Sequence, residues 1–174
     1  MKNVLVVVDV QNDFVNGSLG SKEAEAIIPN VIEAIENEKY DTIIALQDTH
    51  GKDYLETYEG QHLPVEHCIK DSEGWMIQKD VLKALKKRKA TFIEKDTFST
   101  NKLLDVIDKN EVESVTVCGL CTDICVVATA MLLRVGLNGI PIRMIKEAMA
   151  GTTKEKHQEA IDVMASCQIE EETL

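Results

Sequence analysis

The sequence has no apolar run approaching the roughly 20 residues that a membrane-spanning helix needs. Its first apolar run, Val4 to Val8, stops at Asp9. That run is also too short for a secretion signal, and no small-residue cleavage site follows it, so the sequence predicts a cytoplasmic protein. Cysteine is scarce. Five in 174 residues are too few for a disulfide scaffold, and an odd count leaves at least one thiol unpaired within the chain, which suits a reducing compartment. Positive charge is in deficit: 19 Lys and Arg stand against 30 Asp and Glu, a net charge of −11. A chain that acidic repels phosphate backbones and anionic lipid, which argues against nucleic-acid and membrane-surface partners. Internal repeats, low-complexity tracts and interdomain linkers are missing, as are the G-x-G-x-x-G and P-loop phosphate signatures. A hydrophobic content of 44% argues against disorder, so residues 1–174 read as one domain with a sizeable core.

What is present is an alternation of short apolar runs with helix-period segments. VLVVVDV (4–10), TIIAL (42–46), ATFIEK (90–95), SVTVCG (114–119) and IPIRMI (140–145) read as strands. They are β-branched and nearly continuous in apolar character, as expected of strands covered on both faces. Helical patterns span 29–38, 79–87, 102–109, 122–135 and 153–166. Pro29 suits a first helical position, where its missing N–H costs nothing. This alternation predicts right-handed crossovers and a mainly parallel sheet in an α/β/α sandwich. The one long irregular stretch, 47–77, holds three of the four histidines and the only Trp, and loops of that length are usually functional. The acidic stretch 170–172 reads as a solvated tail.

Ligands of open α/β sheets bind beyond the carboxyl ends of the strands. The first strand delivers Asp9, then Asp13 and Phe14; the second Asp48 and His50; the third Lys95; the fourth runs into GLCTDIC (119–125). Cys125 falls in the first turn of a predicted helix with Thr122 as its N-cap, a position that lowers a thiol's pKa, and Lys95 pushes the same way. Asp9 beside it is a candidate proton acceptor. A cysteine-bound metal on Cys118, Cys121 and Cys125 is disfavoured, because strand, turn and helix hold the three apart. Asp48 and His50, two apart in extended chain, point to one side and make a divalent-metal edge. His67, with Glu56, Glu59 or His62, could complete it.

These residues carry a resemblance. VVVDVQNDF (6–14), ALQDTH (45–50), LPVEHC (63–68), EKDTFS (94–99), VCGLCTDICVVATA (117–130) and KEAMAG (146–151) resemble, in order and spacing, the isochorismatase-like cysteine hydrolases, and among them most closely the nicotinamidases. The resemblance implies a Rossmann-like three-layer fold with a mainly parallel six-stranded sheet. It implies an Asp9, Lys95, Cys125 triad working through a thioester. It further implies a non-proline cis peptide at Leu120–Cys121 that turns the N–H groups of Cys121 and Cys125 toward an oxyanion. Phe14 matches an aromatic that packs on the substrate ring. One divalent metal, zinc first and iron or manganese as alternatives, is implied on Asp48, His50 and His67. Glu59 is the choice for a fourth ligand over Glu56 and His62. The tryptophan other nicotinamidases carry before the last metal histidine is replaced here by Leu63 and Val65; Trp75 is the one candidate to substitute. The family also implies a dimer or tetramer.

The leading expectation is therefore hydrolysis of nicotinamide to nicotinate and ammonia in NAD salvage. The alternative is a related amidohydrolase acting on another small amide or carbamoyl compound. A true isochorismatase does not need the nucleophilic cysteine, and a non-catalytic α/β binding module has no use for Asp9, Lys95 and Cys125 together.

Overall fold

In the computed structural model, which describes all residues from Met1 to Leu174, the apolar runs become six strands. They are β1 (Lys2–Val8), β2 (Thr42–Asp48), β3 (Thr91–Lys95), β4 (Val112–Leu120), β5 (Ile142–Ala150) and β6 (Glu170–Glu171). They form one sheet in the order β3-β2-β1-β4-β5-β6, and every neighbouring pair is parallel. The runs 4–8 of β1 and 43–48 of β2 are wholly buried, which is why they read as unbroken apolar segments. Between the strands lie α1 (Asn12–Val15), α2 (Lys22–Ala26), α3 (Ile28–Glu36), α4 (Tyr58–His62), α5 (Lys79–Lys87), α6 (Lys102–Val106), α7 (Val127–Gly136) and α8 (Lys154–Ser166). Packing pairs α3 with α5 and α7 with α8. Strand order reverses between β1 and β4, so their carboxyl ends flank the crevice where ligands of such sheets bind. No helix is long and apolar enough to cross a membrane.

Several expectations need correction. β3 lies at an edge of the sheet, and Phe92 on it is 41% exposed, so this strand is covered on one side only. β5 runs five residues beyond the predicted boundary at Ile145, to Ala150, because Ala148, Met149 and Ala150 are buried. The long irregular stretch contains a single 3₁₀ turn, Tyr54–Glu56, and α4. Residues 170–172 are not a free tail. Glu170 and Glu171 pair with Arg143 and Met144, and the Glu172 carboxylate accepts hydrogen bonds from Tyr40 (2.9 Å) and Thr116 (2.8 Å). Those two hydroxyls are otherwise buried polar groups, and pairing them offsets the ordering of the terminal residues.

Two backbone features shape the crevice. Asp9 adopts φ 49°, a left-handed conformation that Asp tolerates better than most residues, and this ends β1 at Val8, two residues short of the predicted Val10. Gly119 has φ 116°, and a side chain there would strike the Val8 carbonyl. Glycine thus lets β4 close on β1 at the rim, bringing the following turn beside Asp9.

Candidate active site

Strand register assembles the rim. Val8 lies beside Leu46 and Gly119, and Asp48 is the register partner of Lys95, so Asp9, Asp48, Lys95 and Leu120 all emerge at one level. The Lys95 ammonium is buried among them. It lies 2.7 Å from Asp9 Oδ2, 3.1 Å from Asp48 Oδ1 and 3.7 Å from Cys125 Sγ, and it donates to the Thr97 carbonyl at 2.8 Å. Burial works against its charge, but Asp9, Cys125 and Asp48 outweigh burial and hold the ammonium well above its ordinary pKa.

Asp9 is fully buried, and neither of its oxygens accepts an aligned hydrogen bond. The contact with Lys95 is one of charge, which leaves lone pairs able to take a proton. Burial pushes its carboxyl up to about 6, with Asp48 adding to the rise and Lys95 opposing it. The carboxyl is thereby placed near neutrality, where a general base works best.

Cys125 sits in a π-helical turn, Thr122–Val126, that leads into α7. The predicted helix over 122–135 therefore begins with a wider turn, a feature that recurs at functional sites. Thr122 is not the N-cap; its hydroxyl turns away to His157 at 2.8 Å. The expected low thiol pKa is also overturned. Burial and the Asp9 charge raise Cys125 well above the ordinary thiol value, and Lys95 only partly compensates. The resting group is a thiol that must lose its proton to a base during reaction. The peptide Leu120–Cys121 is cis.

On the other side of Asp48 is a cluster of metal-binding type. Asp48, His50 and His67 offer ligand atoms within 4.8 Å of one another, all from buried side chains. Asp48 Oδ2 is 2.9 Å from His50 Nε2 and 3.4 Å from His67 Nε2. Glu59 Oε1, from α4, stands 3.7 Å and 3.8 Å from the same two nitrogens. Nδ1 of His67 meets the Val65 carbonyl at 2.8 Å, which fixes that ring with Nε2 facing the cluster. Two imidazole nitrogens and two carboxylates converging from four positions fit a divalent transition metal. Of the rival fourth ligands, His62 turns its Nδ1 to the Tyr58 carbonyl, and Glu56 makes no contact with the cluster's imidazoles, whereas Glu59 does. Asp48 thus serves two groups at once, one oxygen toward Lys95 and the other toward the imidazoles.

The sequence reading missed several supports. Gln11, fully buried, donates to the Asp48 carbonyl (2.8 Å), accepts from the Asp48 N–H (2.7 Å) and donates to the Trp75 carbonyl (2.8 Å). Its place between a strand end and a helix in VVVDVQNDF was the available signal. Asp13, placed at the rim by the sequence but given no role there, accepts from the Cys68 N–H at 2.8 Å and so anchors the chain beside His67. Tyr54, also fully buried, packs its ring against both His50 and His67, with centroids 4.7 and 4.9 Å away.

A cavity of about 320 Å³ joins the two groups, bounded by Asp48, Glu59, His67, Cys121 and Cys125 on its polar side. Its apolar side includes Phe14, Leu19, Leu63, Phe98 and Ile124. The size is at the small end for ligand pockets. Phe14 lies where expected, 5.4 Å from the His67 ring. Trp75 does not line the cavity: its indole N–H donates to Thr49 at 2.8 Å. The second aromatic of the wall is Phe98, 45% exposed at the mouth.

Comparison with known proteins agrees with this geometry. A model of the isochorismatase domain matches residues 3–171. A nicotinamidase of Schizosaccharomyces pombe is 30% identical over 207 aligned residues, spanning 95% of this chain and 90% of that protein. The crystal structure of a Pyrococcus horikoshii pyrazinamidase in complex with zinc is 26% identical with a TM-score of 0.82, covering 100% of both chains. A nicotinamidase/pyrazinamidase of Bacillus subtilis gives 26% and 0.83, covering 98% of this chain and 99% of that one. With the domain match running from β1 through β6, the chain belongs to the isochorismatase family.

Proposed function

We propose that this protein hydrolyses nicotinamide to nicotinate and ammonia through a Cys125 thioester. The observation that carries the reading is the placing of Asp9, Lys95 and Cys125 in contact around one ammonium, at a small cavity whose other wall is the Asp48, His50, His67 cluster. Asp9 takes the thiol proton as the sulfur attacks the amide carbon. Lys95 keeps both anions close without itself giving up its charge. The N–H groups of Cys121 and Cys125 face the developing oxyanion, where a single donor is typically worth about 3 kcal/mol. Asp9 then passes its proton to the departing ammonia, and water cleaves the thioester. Asp48, His50, His67 and Glu59 would hold one divalent ion, zinc foremost, which would supply Lewis-acid character at the end of the cavity away from Cys125. Phe14 and Phe98 are set to cover the ring's faces. The relatives' names support this substrate: the fission-yeast relative is a nicotinamidase, and the Pyrococcus structure is a pyrazinamidase bound to zinc. The setting we assign is NAD salvage in the cytoplasm.

The deciding experiment is ammonia release across a panel of small amides and carbamoyl compounds. Nicotinamide and pyrazinamide should lead the panel; turnover of another member but not of nicotinamide would move the assignment to that compound.

The acid limb of kcat/KM should have its midpoint near 6, the pKa of the buried Asp9 carboxyl, with activity falling about tenfold per pH unit below it. The stability contribution of Asp9 has the opposite sign. Its folded pKa is raised, so its contribution is fully present below the unfolded value near 4 and is lost as pH rises through about 6. Between these limits acid should silence the enzyme while Asp9 itself favours the fold. A pH–rate profile set beside thermal melts reads both.

His50→Ala should leave the purified protein with well under one metal ion per chain by elemental analysis, against about one for the wild type. A missing imidazole costs the site one of its two nitrogen donors. Equal metal content in both proteins would remove His50 from the ligand set.

A further inference from the structure

The side of the nucleophile turn facing away from Lys95 is held by residues that the proposed chemistry does not use. Thr122 is fully buried, and its hydroxyl meets His157 Nδ1 of α8 at 2.8 Å. The next residue, Asp123, accepts from the backbone N–H of Thr152 (2.8 Å) and from its hydroxyl (2.6 Å). One residue of the turn that carries Cys125 is therefore tied to α8, and the next to the segment that joins β5 to α8. That segment is itself part of the cavity wall, through Gly151 and Thr152. Gly151 permits the tie: a side chain there would come within 2.8–2.9 Å of the backbone and Cβ of His157. His157 is partly buried, and burial with the nearby Lys146 lowers its pKa while Asp123 opposes them. The lowered pKa favours the neutral ring, whose Nδ1 accepts from the Thr122 hydroxyl in one tautomer and donates to it in the other.

We infer that His157 is a positioning residue for the proposed hydrolysis: through Thr122 it fixes the turn that sets Cys125 Sγ against Lys95 and Asp9. The inference rests on Cys125 being the nucleophile. Lys95 is the one neighbour that favours the Cys125 thiolate, at 3.7 Å. A turn released from α8 lets the sulfur drift from it, and small misplacements of reacting groups cost up to about a hundredfold in rate.

The test uses His157→Leu, Thr122→Val and the double variant, with His157→Asn as the conservative replacement, because an Asn amide can present a polar atom near the position of Nδ1. Two readouts are taken: kcat and KM for nicotinamide, and the rate at which iodoacetamide alkylates Cys125, followed by peptide mass mapping. His157→Leu and Thr122→Val should each lower kcat about tenfold or more, leave KM near the wild-type value and slow alkylation in parallel. The double variant should lose no more than either single one, and His157→Asn should recover most of both rates. Unchanged rates in His157→Leu would overturn the inference. So would losses that multiply in the double variant, or losses in all three single variants that simply follow a lowered thermal midpoint. Alkylation needs no substrate, so a wild type inert toward nicotinamide with the alkylation pattern intact would sink the nicotinamide assignment and leave the role of His157 standing.

Discussion

Replacing Cys125 with Ala is expected to lower kcat for nicotinamide by at least about three orders of magnitude while the protein stays folded. The size follows from the loss of covalent catalysis itself: no thioester forms, and only binding and oxyanion contacts remain. The fold should tolerate the change. Lys95 retains Asp9, Asp48 and the Thr97 carbonyl as partners, and the vacated sulfur volume costs about 1 kcal/mol. Cys121→Ala is the matched control, since Cys121 also lines the cavity. Burial, with Asp123 and Asp9 behind it, pushes that thiol up to about 12, and no cation is among the groups acting on it. Cys125 alone of the pair has an ammonium beside it. Ammonia release and mass-spectrometric trapping of the acyl-enzyme decide between them. An active Cys125→Ala protein with an inactive Cys121→Ala partner would transfer the nucleophile to Cys121.

Most of this site was legible because strand ends are legible. An apolar run that stops at a charged residue marks both the strand and its rim, and Asp9, Asp48 and Lys95 were each found that way. The parallel register then placed them at one level. Cys125 does lie beside Lys95, but its thiol pKa is raised where the sequence suggested a lowered one. Sequence spacing shows a helix start, whereas the desolvation and the Asp9 charge that dominate its pKa depend on what packs around it. Glu59 was one of three acids and histidines within a seven-residue stretch, and only the turn of α4 selects which of them faces the imidazoles. The roles of Gln11, whose position alone was a signal, and of His157 were hidden for a related reason. Their partners lie 37 and 35 residues away, and nothing local distinguishes a clamping amide or imidazole from a solvated one. The acidic terminus failed in the opposite sense: three glutamates resemble a tail until Tyr40 and Thr116 supply buried donors for the third.

Lys95→Met should be both inactive and the least stable of these variants, with a penalty that depends on pH. At neutral pH the wild-type ammonium is the shared counter-charge of two carboxylates that are almost wholly out of water, Asp9 and Asp48. Removing one partner of a buried ion pair costs about 3–5 kcal/mol, or roughly 10 °C in thermal midpoint for a chain of this size. The Lys95 pKa is raised in the fold, so its contribution is complete at any pH below the ordinary lysine value and is lost only in strong base. Between pH 8 and 5 the wild-type ammonium is therefore constant, and any change in the penalty comes from the carboxylates left behind. Without the cation, Asp9 loses the larger of the two influences, Lys95 and Cys125, that hold its carboxyl down, so it protonates at a higher pH and then needs no counter-charge. The stability gap between variant and wild type should accordingly be widest near pH 8 and narrow toward pH 5, with no recovery of activity at either end. With the proposed metal on Asp48, a chelator should widen the gap again at pH 8, because Asp48 then loses both cations that face it. Thermal melts at the two pH values, with and without a chelator, measure all of this; a gap that stays constant with pH would show that the Lys95 side chain matters to the fold by packing and not by charge.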